Sequence, residues 1–306
     1  MWSRRLGAQG PFSSCLGLGG LAMAGAYGPA DPKESVHLIL HALDAGVRLL
    51  DTAGGIEPLV GKAVAEWNDS VLVSAHAPDG TTPEGLEREC AASLRSLGVE
   101  AIDLYYLPSG GPGAPPIEER VGKLAELVAA GKIRYLGLGG ADADELRRAH
   151  AVHPVTALAV EYSMWRRDPE WEQLPVAREL GVGTVASRPL GQGFLTGKVI
   201  STSQLAEGDL RLANPRFTEQ SLSVNRSLLR AAEEVAAQMD IGVGRLALAW
   251  LLARGEDIVA TPSTRDRVHL EMNLASLAVR LAPETIECLT DVFPTGAASS
   301  GGGFRE

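Results

Sequence analysis

The sequence predicts an α/β protein, and specifically a closed (β/α)8 TIM barrel, from three observations. Short β-rich runs alternate with segments of helical apolar spacing, eight such runs fit within 306 residues, and several helical segments end at glycine. Strands that alternate with helices imply a parallel sheet covered on both faces. Eight units in a chain of this length favour closure into a barrel over an open doubly wound sheet.

The predicted elements follow one another in a regular order. The strands lie near residues 15–19, 47–50, 71–75, 102–107, 135–138, 156–160, 182–187 and 257–261. The helical segments between them include "ESVHLILHALDAGV", "EGLERECAASLRSLGV", "IEERVGKLAELVAAGKI" and "SLLRAAEEVAAQM". We expect one barrel domain over residues 1–294, with residues 1–12 as an N-terminal cap, 189–224 as a long loop at the barrel mouth, and 295–306 as a flexible C-terminal tail.

Composition narrows the range of partners. A formal charge of −10 without a basic cluster disfavours nucleic acid, and no apolar run reaches the roughly 18 residues of a membrane span. Cys15, Cys90 and Cys288 are too widely spaced to suggest disulfides or a zinc site, so we expect no metal. These features predict a cytoplasmic protein that acts on a small molecule, and they leave the oligomeric state open.

The barrel prediction also locates the candidate site, because barrel enzymes place their chemistry at the carboxyl ends of the strands. The residues at the predicted strand ends are Asp51, His76, Pro108, Gly139, Glu161, Ser187 and Thr261. Of these, only the two carboxylates and the histidine titrate in a range useful for proton transfer.

The chain resembles the aldo-keto reductases over essentially its whole length. The resemblance is carried by "LGLGG", "HALDAGVRLLDTA", "SLRSLGVEAIDLYYL", "AAGKIRYLGLG", "VEYSMWRRDPE", "PLGQGFLTGK", "LALAWLL" and "TPSTRDRVHLEMNLA", in family order and spacing. It implies a barrel of the aldo-keto reductase type and, in ordinary members, an NADPH that reduces aldehydes or ketones by direct hydride transfer.

The four catalytic positions implied by the resemblance are only partly filled. The aspartate is Asp51, but the chain runs from Ala53 through two glycines and Ile56 to Glu57, about five residues too short to hold the family's tyrosine. His76 occupies the lysine position and Pro108 the histidine position. We therefore expect a degenerate tetrad.

The sharpest site hypothesis is an acid–base pair of Asp51 and His76. A carboxylate orients an imidazole and raises its pKa, which gives a group that exchanges protons near neutral pH. The alternative is that backbone amides satisfy Asp51 and that His76 only fills space. Tyr27 is a third catalytic candidate, as a replacement for the lost phenol, or else a packing residue.

The cofactor positions implied by the resemblance differ between the two ends of the dinucleotide. Gly139, Gly140, Ala159 and Ser187 replace the family's polar and aromatic contacts to the nicotinamide. The adenosine end is retained, with Ser263, Thr264, Arg265, Glu271 and Asn273 as candidate cofactor-binding residues. We therefore expect either that no cofactor is required or that NADPH is bound weakly.

Four further residues are candidates for substrate binding. Glu57 is either a rim residue or a structural residue in the first turn of a helix, and Tyr162 and Trp165 are candidate pocket walls. Arg188 either binds a substrate carboxylate or forms a salt bridge with Glu161.

Three functions stay open at this point. The first is an enzyme that uses Asp51 and His76 for non-redox acid–base chemistry such as dehydration, cyclisation or isomerisation. The second is an NADPH-dependent carbonyl oxidoreductase with a relocated proton donor, and the third is a non-catalytic barrel used as a binding module. A composition rich in glycine, alanine and arginine is typical of GC-rich bacterial genomes, which favours a role in secondary metabolism.

Overall fold

The computed structural model describes residues 2–111 and 113–297, and its main feature is a sheet of eight parallel strands. An antiparallel hairpin of β1 (Ser3–Arg5) and β2 (Phe12–Ser14) precedes that sheet. The barrel strands are β3 (Leu18–Gly19), β4 (Leu49–Asp51), β5 (Leu72–His76), β6 (Ile102–Pro108), β7 (Ile133–Gly139), β8 (Ala157–Glu161), β9 (Gly183–Ser187) and β10 (Ile258–Thr261). Bridges from Leu16 to Ala260 and from Gly19 to Ser263 join the first strand to the last. The predicted (β/α)8 barrel is therefore confirmed.

Ten α-helices accompany the strands within the described residues. They are α1 (Pro32–Asp44), α2 (Glu57–Glu66), α3 (Pro83–Leu97), α4 (Ile117–Ala129), α5 (Ala143–Val152), α6 (Gln173–Leu180), α7 (Glu219–Gln238), α8 (Val243–Ala253), α9 (Arg267–Ala275) and α10 (Pro283–Val292). Several begin at residues whose chemistry fixes the boundary. Asp31 accepts hydrogen bonds from the amides of Lys33 and Glu34 at the start of α1, and such caps contribute about 1 kcal/mol each. Gly98, with a φ of 68°, ends α3 in the left-handed conformation that glycine adopts without strain.

The core has two layers because strand residues alternate between the inside and the outside of the barrel. On β6, Tyr106 belongs to a small inner cluster with Leu49, Leu104 and Val259, and Leu6 from the hairpin closes the bottom of that cluster. The neighbouring Tyr105 belongs to the larger cluster between the strands and the helices. The inner cluster packs inside the barrel below the strand ends, and a cavity opens above it at the mouth.

The segment after β9 differs in one boundary from the predicted loop 189–224. Residues 219–224 belong to α7, which begins at Glu219, and the hydroxyl of Thr218 accepts a hydrogen bond from the Ser221 amide at 3.1 Å. The polar run "TEQSLS" is typical of a loop but here caps and starts a helix. At the C-terminus, residues 298–306 of the predicted tail lie outside the described residues.

The length and apolar content of the helices decide whether any of them could span a membrane. Within residues 2–111 and 113–297, no single helix is both long and apolar enough to cross a bilayer. The pair α7 and α8 meets the length and composition requirement together, but the two helices meet at 92°. The residues of α8 from Leu246 to Leu252 are buried in the protein core.

Candidate active site

A cavity of about 2380 Å³ opens at the carboxyl ends of the barrel strands. The strand-end residues Asp51, His76 and Glu161 line its inner part, and residues of the 189–218 loop line one side. It continues to the start of α9, where residues 261–266 line it. This volume exceeds the roughly 300–1,000 Å³ typical of sites for one small ligand. The cavity therefore has room for a dinucleotide together with a small substrate.

Asp51 and His76 form a hydrogen-bonded pair at the bottom of this cavity. β4 ends at Asp51 and the adjacent β5 ends at His76, so both side chains reach the same end of the barrel. His76 Nε2 lies 2.5 Å from Asp51 Oδ1, and the Ser74 hydroxyl donates to the same oxygen at 3.0 Å. The Ala53 amide donates to it as well, at 3.3 Å. Within residues 2–111 and 113–297, no side chain or amide hydrogen-bonds to His76 Nδ1.

The environment of the pair shifts both pKa values toward the charged forms. Burial alone raises the pKa of Asp51, but the charge and hydrogen bond of His76 outweigh it, and the pKa of Asp51 lies below its usual value. Burial alone lowers the pKa of His76, but Asp51 outweighs it and the pKa of His76 lies above its usual value. An imidazolium held by a carboxylate can donate a proton near neutral pH.

A second charged group lies on the opposite side of the barrel, on strands β8 and β9. Arg216, from the 189–218 loop, donates to both carboxylate oxygens of Glu161 at 2.7 and 3.1 Å. Arg188 Nη1 lies 3.5 Å from Glu161 Oε2, so of the two alternatives for Arg188 the salt bridge is the one seen in the structure. Burial alone raises the pKa of Glu161, but the charges of Arg216 and Arg188 outweigh burial, and the pKa lies below its usual value. Glu161 is therefore a carboxylate. These contacts fasten the long loop to the barrel mouth.

Tyr27 lines the cavity near this loop. The guanidinium of Arg211 lies 4.8 Å from the centre of its ring, and the amide of Leu210 donates to the carbonyl of Ala26 at 3.0 Å. Burial raises the pKa of the Tyr27 phenol. A phenol with a raised pKa gives up its proton less readily than a free tyrosine, so its role as proton donor stays a prediction.

Three of the four expected substrate-binding residues are not among the described residues that line the cavity. Glu57 is the first residue of α2. The Tyr162 hydroxyl donates to Glu170 at 2.8 Å, away from the cavity lining. Trp165 Nε1 donates to Asn225 at 3.1 Å. Both aromatic side chains are fully buried in packing contacts. Arg188 is the member of the set that does line the cavity.

The candidate cofactor residues also divide into those that line the cavity and one that does not. Ser263, Thr264, Arg265 and Asn273 line the cavity at its outer end. The side chain of Asn273 is nine-tenths buried and forms no hydrogen bond with a described residue, so its amide is available to a ligand. Glu271 instead points away and binds Arg267 and His41, each at 3.1 Å.

The outer end of the cavity offers polar side chains that suit a dinucleotide, whereas the inner end offers few. Arg265 and the unpartnered amide of Asn273 offer donors suited to phosphate and to a base. At the inner end, Gly139, Gly140 and Ala159 line the cavity without polar side chains. Of the four positions that the resemblance assigns to the nicotinamide, Ser187 is the one with a polar side chain, and it lines the cavity. In the described part of the chain, no group of three or more His, Cys, Asp or Glu could hold a metal ion.

Three residues near the site were not identified from the sequence. Ser74 lies two residues before His76 on β5, and the period of two along a strand places both on one face. Tyr106 pairs with His76 in the register of β5 and β6. Arg216 reaches Glu161 from a loop without a regular pattern, so no sequence signal pointed to it.

Comparisons with known proteins give close matches over nearly the whole chain. The probable aldo-keto reductase 1 of Glycine max is 37% identical over 314 residues, covering 97% of this chain and 90% of that protein. The structure of a glycerol dehydrogenase from Gluconobacter oxydans matches with a TM-score of 0.86 at 24% identity, over 99% of this chain and 98% of that one. An aldo/keto reductase from Klebsiella pneumoniae, in complex with NADP and acetate, matches with a TM-score of 0.74 at 24% identity, over 96% of each chain.

These matches correct the expectation about the cofactor. The prediction that no cofactor is required, or that NADPH is bound weakly, is wrong, because structural neighbours from Klebsiella pneumoniae were crystallised with NADP and with NADPH. That prediction weighed the missing side chains at the inner end of the cavity. It counted the retained residues at the outer end only toward weak binding, and the size of the cavity was not visible in the sequence.

The family assignment follows from the extent of the match. The sequence model of the Aldo/keto reductase family matches residues 15–292, which include all eight barrel strands. The relative from Glycine max exceeds one third identity over almost the same span. This chain therefore belongs to the aldo/keto reductase family.

Proposed function

We propose that the protein is an NADP(H)-dependent oxidoreductase that interconverts a carbonyl and an alcohol on a small organic molecule, with His76 as the proton donor and acceptor. The observation that carries the proposal is the single cavity that connects the Asp51–His76 pair with Arg265 and Asn273. The NADP-bound neighbours support the cofactor, and the family supports the reaction class. The non-redox chemistry considered above stays a prediction with no support from these matches.

The residues divide the work between proton transfer and binding. The chemistry that NADPH would supply, when bound, is a hydride for the carbonyl carbon. His76 gives its proton from Nδ1 to the carbonyl oxygen, while Asp51 accepts the hydrogen bond from Nε2 and stabilises the imidazolium. After the transfer, His76 is neutral and takes up a proton from water through the open cavity. Arg265 and Asn273 hold the outer part of the dinucleotide.

NADPH binding is the first test of this proposal. We expect saturable binding, followed by tryptophan fluorescence, and a dissociation constant that rises about tenfold or more in Arg265→Ala, because hydrogen bonds to a charged group contribute about 1.5–3 kcal/mol. Arg267→Ala is the matched control, since that side chain is 69% exposed and pairs with Glu271. Absence of saturable binding by the unchanged protein would contradict the proposal.

The pH dependence of the rate is a second test. Reduction requires protonated His76, whose pKa is raised by Asp51. The reductive kcat should therefore stay near its maximum below about pH 6.5, the usual histidine pKa, and fall as the pH rises through the raised value. Alcohol oxidation requires neutral His76 and should show the opposite trend. Asp51→Asn removes the raising charge and should move the fall to lower pH. A flat reductive profile would exclude His76 as the donor.

A further inference from the structure

A tyrosine ring lies against the imidazole of His76. Tyr106 on β6 pairs with His76 on β5 in the register of the two strands. The two ring centres lie 4.8 Å apart and the ring planes differ by 21°, which is a stacked arrangement. Tyr106 is buried, with 1% of its surface exposed, so the ring has a fixed place in the inner core of the barrel. The imidazole therefore rests on a rigid surface.

The neighbouring strand makes room for that ring. A Cβ atom on Gly137 of β7 would lie 2.5 Å from Tyr106 Cδ1 and 2.6 Å from Cε1, closer than atoms in contact can approach. Glycine at position 137 is therefore required for the tyrosine ring to occupy this position. A side chain at that position would push the ring away from its place under His76.

The hydroxyl of Tyr106 does not explain its position. The oxygen is buried and has no hydrogen-bond partner among the described residues, which is an unfavourable arrangement for a polar group. A phenylalanine would pack equally well there and would avoid that cost. The aromatic ring packs in the inner cluster and stacks on His76, so the ring and not the hydroxyl accounts for the position of this side chain.

From this geometry we infer that Tyr106 is a positioning residue, whose ring holds the His76 imidazole with Nε2 toward Asp51 and Nδ1 toward the cavity. Without the ring, the imidazole can rotate about its side-chain bonds and leave the carboxylate. The face of an aromatic ring also favours a positive charge above it, which stabilises the imidazolium. The catalytic consequence rests on the proposed function, whereas the orientation of His76 does not.

Other groups near His76 contribute to its charge and are unchanged by replacement of Tyr106. Asp51 on β4 is the hydrogen-bonded partner, and Glu57 on α2 and Asp79 in the loop after β5 act at longer range. All three carboxylates favour the imidazolium. A change in His76 titration on replacing Tyr106 therefore reports the loss of the ring and of the orientation that it imposes.

The test compares three substitutions that separate the ring from the hydroxyl. Tyr106→Phe keeps the ring, and Tyr106→Met replaces it with a smaller apolar side chain. Gly137→Ala retains the tyrosine but displaces its ring. Tyr105→Met is the matched control, because Tyr105 is equally buried but faces the helices and has no ring contact with His76. The thermal midpoint of each variant identifies those that fold.

The first readout is the titration of the His76 ring by NMR, assigned with His76→Gln. We expect the midpoint to shift to lower pH in Tyr106→Met and in Gly137→Ala, and to stay unchanged in Tyr106→Phe and Tyr105→Met. An unshifted midpoint in folded Tyr106→Met would overturn the inference, and so would an equal shift in Tyr106→Phe. This readout needs neither cofactor nor substrate, so it separates the inference from the proposed function.

The second readout is kinetic. Loss of orientation at a reacting group can lower a rate by about 100-fold, so kcat for carbonyl reduction should fall by about 10- to 100-fold in Tyr106→Met. The KM for NADPH should stay the same, and Tyr106→Phe should restore the rate. If the NMR shift occurs but no variant or unchanged protein reduces carbonyls, then the proposed function fails and the positioning role is retained.

Discussion

Replacing His76 with alanine is expected to lower kcat for carbonyl reduction by about 100- to 10,000-fold, the range typical of a lost general acid. The reason is that, among the described histidines, His76 is the one that both lines the cavity and hydrogen-bonds to a carboxylate. The measurement is the rate of NADPH consumption with a panel of small aldehydes and ketones. The dissociation constant for NADPH should change little, because the imidazole is at the inner end of the cavity.

The control for this prediction is a histidine remote from the site. His37 on α1 is 73% exposed, and His37→Ala should retain full activity. Tyr27→Phe tests the competing hypothesis that the Tyr27 phenol is the proton donor. If Tyr27→Phe lost activity while His76→Ala kept it, the phenol of Tyr27 would be the donor and the role given to His76 would be wrong.

Replacing Trp165 with alanine is expected to lower the free energy of unfolding by about 3–5 kcal/mol, as for other large buried side chains. The indole is 1% exposed and packs on Phe194, with ring centres 4.1 Å apart. It also lies under the guanidinium of Arg216, at 5.4 Å, so the substitution loosens the contact that fastens the loop to Glu161. Chemical denaturation measures the change.

Trp171 provides the matched control, because its side chain is 66% exposed. Trp171→Ala should change the free energy of unfolding by less than about 0.5 kcal/mol, as for most surface substitutions. If Trp165→Ala instead left stability unchanged and raised only the KM of the substrate, Trp165 would be a pocket residue after all.

The fold was predictable because it depends on local patterns that repeat. Each barrel strand is short and apolar, and each is followed by a helix with regular apolar spacing, so the order of elements is readable without contacts. The start of α7 was missed because the polar residues after Thr218 lack an apolar stripe, although Thr218 itself is a favourable cap. Boundaries of this kind depend on capping contacts more than on hydrophobicity.

The site was predictable only where it depends on strand ends. Asp51 and His76 end adjacent parallel strands, so their proximity follows from the topology alone. The outward packing of Tyr162 and Trp165 depends on the turn after β8, which no periodicity describes. The stack of Tyr106 on His76 depends on strand register and on the missing side chain at Gly137. These features require the three-dimensional arrangement.

The cofactor was mispredicted for a related reason. A sequence displays the small residues Gly139, Gly140 and Ala159, but it does not display the volume or continuity of a cavity. Backbone groups and a shaped cavity also bind ligands, and binding energy at one end of a dinucleotide can hold the whole molecule. Counting side chains alone therefore left the size and continuity of the cavity out of the cofactor prediction.

The most direct test of the account is an NMR titration of the His76 ring with NADPH. The cofactor cavity and the Asp51–His76 pair are proposed to be one site, so saturating NADPH should shift the His76 ring resonances, with half-saturation at micromolar concentration. The same shift should require more NADPH in Arg265→Ala. A His76 resonance that does not change while NADPH saturates the protein would contradict the account, and so would the absence of any saturation.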